Sequence, residues 1–303
     1  MSPDIKGTDR PEAADQRSAG HNPGRQHLAV RPTSMWRTIR SEWLKFWTLP
    51  SSIWIIAVTI VVMVGLSALM AWGFTFDPTG PGGPADGGDG ADVTMEGGED
   101  FSLTSLGLVA ISFSYGVGQI VLAVLGVMVA TSEYATGQIR STLTAVPTRL
   151  PVLVAKVAIV ILVGLTLGAL AVALSWLATT PILEPHGMQL DVSEEGAWRT
   201  LFGVPLYLSA IALFSLGIGF LLRHTAGAIA AVLGILLVLP IVGMIQIDWL
   251  QDLALYLPAS AGERLVMGAP DDVLTEWQGF AVLCGYVVVA LVLAGVLLRR
   301  RDA

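Results

Sequence analysis

The distribution of charge constrains this chain more than any other feature of its sequence. Six long intervals contain no charged residue: Phe46–Phe76, Phe101–Ser132, Val157–Leu183, Thr200–Leu222, Thr225–Ile247 and Trp277–Leu298. Each holds at least about 20 mostly apolar residues, which is the length that a helix needs to cross a bilayer core of about 30 Å. Charged residues make up only 14% of the 303 residues, too few to cover a soluble domain. The sequence therefore predicts an all-α polytopic membrane protein.

The predicted organisation divides the chain into four parts. These are a disordered cytoplasmic tail at 1–34, an amphipathic interfacial helix at 35–50, a six-span transmembrane domain at 51–298 and a cytoplasmic basic tail at 299–303. The predicted spans are 53–72, 103–130, 152–177, 201–222, 226–245 and 280–298. The opening 34 residues are polar and lack the apolar core of a signal peptide, so we expect the first span to direct insertion.

The positive charges predict the orientation of the spans. If the N-terminus is cytoplasmic and the spans alternate, 15 of the 17 Lys and Arg residues lie in the cytoplasm, and Arg199 and Arg264 are the exceptions. By the same count, 17 of the 24 acidic residues lie outside. Lys and Arg near span ends favour the cytoplasmic side. Both termini are therefore predicted to be cytoplasmic.

Residues 35–48 have the pattern of an amphipathic helix just before the first span. At 100° per residue, one arc of the helix comprises Met35, Trp36, Ile39, Trp43, Leu44, Phe46 and Trp47. The opposite arc comprises Arg37, Thr38, Ser41, Glu42, Lys45 and Thr48. Such a helix favours the headgroup layer of a membrane, and Pro50 is expected to end it and begin the first span. The alternative is an aromatic belt on an extended first span.

Three segments between or within the spans carry further expectations. Asp77–Asp100 is rich in Gly, Pro and Asp, which predicts a mobile external loop. The second span contains many small and hydroxylated residues, so it is expected to pack inside the bundle. Gln246–Trp277 contains two short apolar pieces around Pro258, which favours an interfacial or re-entrant hairpin on the outer face.

Several kinds of chemistry find no support in the sequence. A phosphate-binding loop of the Walker type needs Gly-Lys, and the three lysines follow Ile5, Leu44 and Ala155. There is no His-Glu-x-x-His zinc motif, and no Asp or Glu falls in a predicted membrane centre, which argues against proteolysis and against an ion-coupled carrier. The single cysteine, Cys284, allows no disulfide framework or Cys-based metal site. No enzymatic activity, cofactor or metal site is therefore predicted for this chain.

The segment after the second span carries a resemblance to a known family. The run Glu133-Tyr-Ala-Thr-Gly137-Gln-Ile-Arg140 resembles the Glu-x-x-x-Gly-Thr-Ile/Leu-Arg signature of ABC-2-type transporter permeases, with Gln138 in place of the usual Thr. The order of the other parts is also similar: an interfacial helix, six spans, and the Tyr256–Gly262 break before the last span. The chain is thus expected to be the membrane subunit of a bacterial ABC exporter.

The resemblance implies partners and site residues. It implies a dimer with a second permease copy or a paralogue, and a cytoplasmic ABC ATPase subunit that binds ATP and Mg. It further implies a bacterial cell membrane, lipid contacts and no nucleic acid. The interfacial helix and the segment 133–149 would seat against the ATPase. The candidate ATPase-coupling residues are Glu133, Gly137, Arg140, Arg37, Glu42 and Lys45.

The residues around this motif allow two interpretations. Gly137 is expected to end the second helix in a left-handed cap, with a short transverse helix at Gln138–Val146. Glu133 and Arg140 are either charged handles for a soluble partner or charges that merely terminate a span. The candidate cavity residues are Ser112, Ser114, Tyr115 and Gln119, and helix packing is an equally good explanation for most of them. The substrate is expected to be apolar or amphipathic, and its identity is open.

Two other functions stay open at this point. The first is a membrane scaffold or assembly protein that transports nothing, and a neighbouring reading frame for an ABC ATPase would argue against it. The second is a secondary carrier, which ionophore sensitivity without ATP dependence would favour.

Overall fold

The computed structural model describes residues 35–48, 50–76, 93–94, 100–101, 105–137, 150–188, 190, 192–193, 196–242, 245, 247–269 and 273–300. Almost all of these residues are helical. The helices are α1 (Met35–Thr48), α2 (Pro50–Phe76), α3 (Ser105–Phe113), α4 (Tyr115–Ala135), α5 (Leu150–Leu183), α6 (Ala197–Leu222), α7 (Thr225–Leu233), α8 (Leu239–Val242), α9 (Asp248–Leu255), α10 (Pro258–Met267) and α11 (Glu276–Arg300). A π-helical segment, Gly234–Val238, joins α7 to α8, and a 3-10 turn, Glu184–His186, follows α5.

Five helical stretches are long and apolar enough to cross a membrane. They are Pro50–Phe76, Leu106–Ala135, Leu150–His186, Ala197–Leu222 and Glu276–Arg300. They coincide with five of the six predicted spans, and the second of them consists of α3 and α4, which meet at Ser114. The prediction of a helical, multi-pass membrane protein is confirmed at this level.

The fifth predicted span, 226–245, is the one that is not confirmed among the described residues. The apolar helical stretch in this region is Thr225–Ile241, which is 17 residues long. At 1.5 Å per residue it measures about 25 Å, less than a bilayer core of about 30 Å. The π-helical segment and Pro240 lie in its second half, where the regular helix is interrupted.

Helix α6 is the centre of the bundle. Of its most apolar 18-residue window 78% is buried, against 56% for the α3–α4 stretch and 17% for α2. Two glycines of α5 allow this helix to lie close to α6. A Cβ on Gly164 would lie 2.8 Å from Ser209 Oγ, and a Cβ on Gly168 would lie 2.6 Å from Pro205 Cα, so neither position has room for a side chain. Small residues allow such close approach between membrane helices. The second span does pack inside the bundle, as expected, but the fourth span lies deeper.

Different helices meet at the two ends of the bundle. At one end, which we call the elbow end, α1 lies beside the end of α4 and the start of α5. The C-terminal turn of α11 is also at this end, since Gly295 packs near Leu153. At the opposite end, the hairpin end, Arg199 at the start of α6 bonds to the carbonyl of Arg264 in α10 and pairs with Glu276 of α11.

A two-residue turn, Arg223–His224, links α6 to α7. Arg223 has φ of 55°, a left-handed conformation that closes α6 with a bond from its N–H to Gly219 O. His224 then caps α7, because its Nδ1 accepts a hydrogen bond from Gly227 N–H at 3.1 Å. The guanidinium of Arg223 lies 5.4 Å from the centre of the Tyr134 ring, so the turn is also held against α4.

The remaining predictions about segments have mixed outcomes. The tail 1–34 lies outside the described residues, as does most of the Asp77–Asp100 loop, where Val93–Thr94 (β1) and Asp100–Phe101 (β2) form a short antiparallel pair. Arg299 and Arg300 belong to the last turn of α11, so the basic tail begins later than predicted. The hairpin region forms α9 and α10, of which α10 is mostly buried against α6 and α11.

Candidate functional site

Four charged side chains meet at the elbow end, where α1 lies against α4 and α5. The ammonium nitrogen of Lys156 lies 2.8 Å from Glu42 Oε2 and 3.0 Å from Glu133 Oε1. Lys45 Nζ lies 2.6 Å from Glu42 Oε1 and 3.2 Å from Glu133 Oε1. Each carboxylate is thus shared by both lysines. We call these four residues the ionic cluster.

The cluster is buried and electrically neutral. Glu42, Glu133 and Lys156 are each 4% exposed, and Lys45 is about half-buried. Lys156 Nζ also donates to Val129 O at 3.1 Å, so its three hydrogens have three acceptors. Removing one partner from such a group leaves an uncompensated buried charge, which costs about 3–5 kcal/mol. The cluster therefore ties α1, α4 and α5 to one another at this end.

Lys45 is the cluster member that reaches solvent. Partial burial acts to lower the pKa of its ammonium, but the hydrogen bond and charge of Glu42 and the charge of Glu133 together raise the pKa above its ordinary value. Lys45 therefore stays protonated at any physiological pH. Lys45 is a cation within the cluster, and part of its side chain is accessible to solvent.

A cavity of about 260 Å³ lies beside the cluster. Besides Glu42, Lys45, Glu133 and Lys156, its polar lining consists of Thr48, Ser51, Ser52, Ser132 and Thr136. Apolar side chains from α1, α2, α4 and α5 complete the wall. Glu133 Oε2 is buried and has no hydrogen-bond partner among the described residues, so one acceptor of the cluster is unused.

The end of α4 has the conformation that the sequence predicts. Gly137 has φ of 72°, and its N–H bonds to Tyr134 O at 3.3 Å, while Thr136 N–H bonds to Ser132 O at 3.1 Å. A Cβ on Gly137 would meet no atom of the described residues within 4 Å, and the left-handed φ by itself favours glycine here. The predicted left-handed cap is confirmed. Arg140 and the transverse helix at Gln138–Val146 lie outside the described residues.

The candidate coupling residues thus fall into two groups. Glu42, Lys45 and Glu133 come together in the cluster, whereas Arg37 is exposed on α1. The interpretation of Glu133 as a handle for a soluble partner needs correction, because its carboxylate is buried against two lysines of its own chain. Sequence reasoning also overlooked the role of Lys156. The signal was present, since a lysine one and a half turns inside an otherwise apolar helix needs a partner.

Helix α1 packs with a different face from the one that its polarity indicates. Thr38 and Glu42, from the polar arc, are buried together with Phe46, whereas Trp36 and Leu44, from the apolar arc, are exposed. The polar arc faces α5 because Glu42 pairs with Lys156 of that helix. The exposed apolar arc is then left for the membrane, which agrees with an interfacial helix.

The candidate cavity residues lie in the interior of the bundle. Ser112 and Ser114 bond to carbonyls of their own helix, at Val109 and Ile111 respectively. Tyr115 and Gln119 instead meet Tyr207 of α6: the two tyrosine rings contact edge to face at 5.6 Å, and Tyr207 Oη donates to Gln119 Oε1.

A carboxyl group joins this second polar group. Glu263 of α10 is partly buried near Gln119 and Tyr207, and burial raises the pKa of its carboxyl to about 7. The sequence does not predict this proximity, because Glu263 lies outside every predicted span. Glu263 itself belongs to the short helix α10 and to none of the five long apolar helices.

Comparison with known proteins identifies no relative: neither the scan of protein-family models nor the search of curated proteins finds a match.

Proposed function

We propose that this chain is the membrane subunit of an ABC transporter, an exporter of an apolar or amphipathic substrate that is driven by a separate cytoplasmic ATPase. The observation that supports this most directly is the ionic cluster. It joins an interfacial helix to two spanning helices at the point where α4 runs into the segment 138–149. That segment carries the rest of the permease-like signature, including Arg140.

The cluster gives a physical route for mechanical coupling. Glu42 on α1 and Glu133 on α4 both bind Lys156 on α5, so the three helices share one buried charge network. A partner that pushes on α1 or on the segment after Gly137 would displace α4 and α5 together, because separating them exposes an unpaired charge. Closure of an ATPase dimer would supply such a push.

The orientation and the assembly belong to the same proposal. Basic residues are concentrated at the elbow end, and we therefore place this end and both termini in the cytoplasm of a bacterial cell. These basic residues are Arg37, Arg40, Lys45, Lys156, Arg223, Arg299 and Arg300. Helix α2 has an extensive exposed apolar face, including Trp54 and Val61. This face would lie against lipid and against the second permease copy. Thr225–Ile241 would form a sixth, short span, with α9 and α10 as the external hairpin.

The test is purification of the intact complex. The tagged chain is extracted from its native membrane in mild detergent, and co-purifying proteins are identified by mass spectrometry. We expect an ATP-hydrolysing subunit whose activity in lipid nanodiscs changes in Glu133→Gln and Lys156→Met variants but not in Asp252→Asn, an exposed control on α9. Absence of any ATPase from repeated purifications would overturn the proposal.

One observation favours a second candidate, an ion-coupled carrier. Glu263 is an acid that lies near two mid-span side chains, Gln119 and Tyr207, and acids inside a membrane bundle often mark ion pathways. Transport that collapses with an ionophore and persists without ATP would identify a carrier. Transport that requires ATP and ignores the ionophore would identify the ABC subunit.

A further inference from the structure

The cavity beside the ionic cluster lies where the lipid headgroups of a membrane are expected. Its wall includes Thr48 at the end of the interfacial helix α1 and Ser51 in the first turn of α2. Trp47 and Trp54, which flank this part of the wall in the sequence, are exposed. Exposed tryptophans favour the boundary between water and the hydrocarbon core, as does an amphipathic helix. In a membrane, phospholipid headgroups therefore surround the mouth of this cavity.

The cavity has room for a headgroup and not for a whole lipid. Its volume is about 260 Å³. A water molecule occupies about 30 Å³ in the liquid, so the cavity accommodates a group of several non-hydrogen atoms. The acyl chains of a bound lipid would stay outside, along the exposed apolar face of α2 that begins with Ile53 and Trp54.

One wall of the cavity contains an acceptor that lacks a donor. Glu133 lines the cavity and is 4% exposed. Its Oε1 binds Lys45 and Lys156, whereas its Oε2 is buried without a hydrogen-bond partner among the described residues. A buried oxygen that has lost water without gaining a donor is costly. A ligand with N–H groups would supply the missing bond, and a cationic donor would make the strongest one.

The same cavity also contains donors for an anion. Lys45 is protonated, and its side chain is 39% exposed. Three serine hydroxyls also line the wall and form no side-chain hydrogen bond within the part of the chain that the structure describes: Ser51, Ser52 and Ser132. Ammonium and hydroxyl groups both donate to phosphate oxygens. The cavity thus has complementary groups for both signs of charge.

The charge balance of the ionic cluster favours a ligand without net charge. Its two carboxylates and two ammonium groups already compensate one another. A ligand with a net charge would bring an uncompensated charge into a partly buried site, which is costly, whereas a zwitterion brings both signs. Lys45 Nζ lies 3.2 Å from Glu133 Oε1, so the two poles of the site are adjacent. The phosphate and the ammonium of phosphoethanolamine are adjacent in the same way, since two carbons join them.

We propose that the cavity at the elbow end binds the headgroup of a phospholipid with a primary ammonium, of which phosphatidylethanolamine is the simplest. The ammonium of the headgroup donates to Glu133 Oε2, and its phosphate accepts from Lys45 and the three serines. A lipid bound in this way would connect α1, α2 and α4 at the membrane surface. The inference does not depend on the proposed function, because it requires only that the elbow end lies at the surface of a membrane.

The test is native mass spectrometry of the full chain, released from nanodiscs that contain equal amounts of two lipids with the same acyl chains. We expect phosphatidylethanolamine to be bound about tenfold more than phosphatidylcholine, whose trimethylated nitrogen keeps its charge but has no N–H to donate. We expect a preference in the same direction over phosphatidylglycerol, an anion that lacks the ammonium. Equal occupancy in either pair of lipids would overturn the proposal.

A double variant tests the two groups that bind the headgroup. Lys45→Gln combined with Glu133→Gln removes one charge of each sign and leaves the buried pair of Glu42 and Lys156 intact, so no buried charge loses its partner. We expect the preference for phosphatidylethanolamine over phosphatidylcholine to disappear in this variant and to persist in Asp252→Asn, an exposed control on α9. A double variant that keeps the full preference would contradict the assignment.

Free O-phosphoethanolamine distinguishes a lipid from a soluble ligand with the same chemistry. We expect millimolar O-phosphoethanolamine to leave the bound phosphatidylethanolamine in place, because the free compound lacks the acyl chains that hold the headgroup at the membrane surface. Displacement of the lipid by the free compound would assign the cavity to a soluble ligand, and the proposal of a lipid site would then be wrong.

Discussion

Lys156 Nζ lies 2.8 Å from Glu42 Oε2, which joins a residue inside a spanning helix to one on the interfacial helix. Both side chains are about 5% exposed or less, so this pair is shielded from salt and solvent. The pair is also connected to Glu133 and Lys45, so a substitution at any member changes the electrostatic environment of the others.

The first prediction concerns the stability of the cluster. Lys156→Met keeps the length of the side chain but leaves two buried carboxylates with only Lys45 between them. We expect a loss of about 3–5 kcal/mol in the free energy of unfolding, the usual cost of breaking a buried ion pair. The measurement is denaturant unfolding in mixed micelles.

The control for that measurement is Arg37→Gln on the exposed face of α1. Substitutions of exposed residues usually change the free energy of unfolding by no more than about 0.5 kcal/mol. The triple variant Glu42→Gln, Glu133→Gln, Lys156→Met should recover much of the loss, because no buried charge is then unpaired. Equal stability of Lys156→Met and Arg37→Gln would contradict the pairing.

The second prediction concerns the reactivity of Lys45 at different pH values. Acylating reagents attack the neutral amine, and the raised pKa of Lys45 keeps this form scarce. Glu42→Gln removes the hydrogen-bonded anion that raises the pKa, so the pH at which labelling begins should fall. Labelling at a fixed pH should increase about tenfold for each unit by which the pKa drops.

Mass spectrometry of the labelled peptide provides the measurement, and Arg37→Gln again serves as the control, since Arg37 is exposed and outside the cluster. Labelling of Lys45 at the same rate in Glu42→Gln and in the wild type would mean that the carboxylate does not act on the amine.

The third prediction concerns the packing of α10. Gly262→Val places methyl groups where Tyr207 and Leu283 already lie, and overpacking of this kind costs about 1–3 kcal/mol. We expect faster hydrogen exchange across 258–267. Gly285→Val on α11 is the matched control, because a Cβ there meets no atom within 4 Å. Equal protection in both variants would show that α10 tolerates the added volume.

The fourth prediction concerns the end of α4. Gly137→Ala forces an L-residue into φ of 72°, which costs roughly 1–2 kcal/mol. Exchange of the amides at the end of α4 should increase, since the helix end frays. Gly137→Asn should show a smaller effect because asparagine tolerates this conformation better. An alanine variant that is as well protected as the wild type would remove the conformational reason for glycine.

Parts of the fold that depend on local sequence were predictable. Uninterrupted apolar stretches are sufficient to locate five spans, Pro50 marks the start of α2, and Gly137 marks the end of α4. The Arg223–His224 turn follows equally from its flanking apolar runs. These features depend on neighbouring residues in the chain, so composition and spacing carry the information.

The contacts that make the two polar groups were beyond sequence reasoning. Glu42 and Lys156 are 114 positions apart, and Glu263 lies on α10, which approaches α6 where Gly262 packs against Tyr207. Polarity alone did not show that part of the polar arc of α1 is buried, since Glu42 is buried through its pairing with a lysine on another helix. The π-helical segment within the fifth predicted span was also not predicted, because π-helical turns leave no clear signature in composition.

The shortness of Thr225–Ile241 bears on the lipids around the protein. If this helix crosses the membrane as proposed, its apolar length is about 5 Å less than the usual hydrocarbon thickness. Neighbouring lipids must then compress on that flank, at a cost of a fraction of a kcal/mol for each Å of mismatch. Bilayers with shorter acyl chains would relieve this strain. Membrane thickness would thereby become one of the conditions that set the balance between the conformations of the bundle.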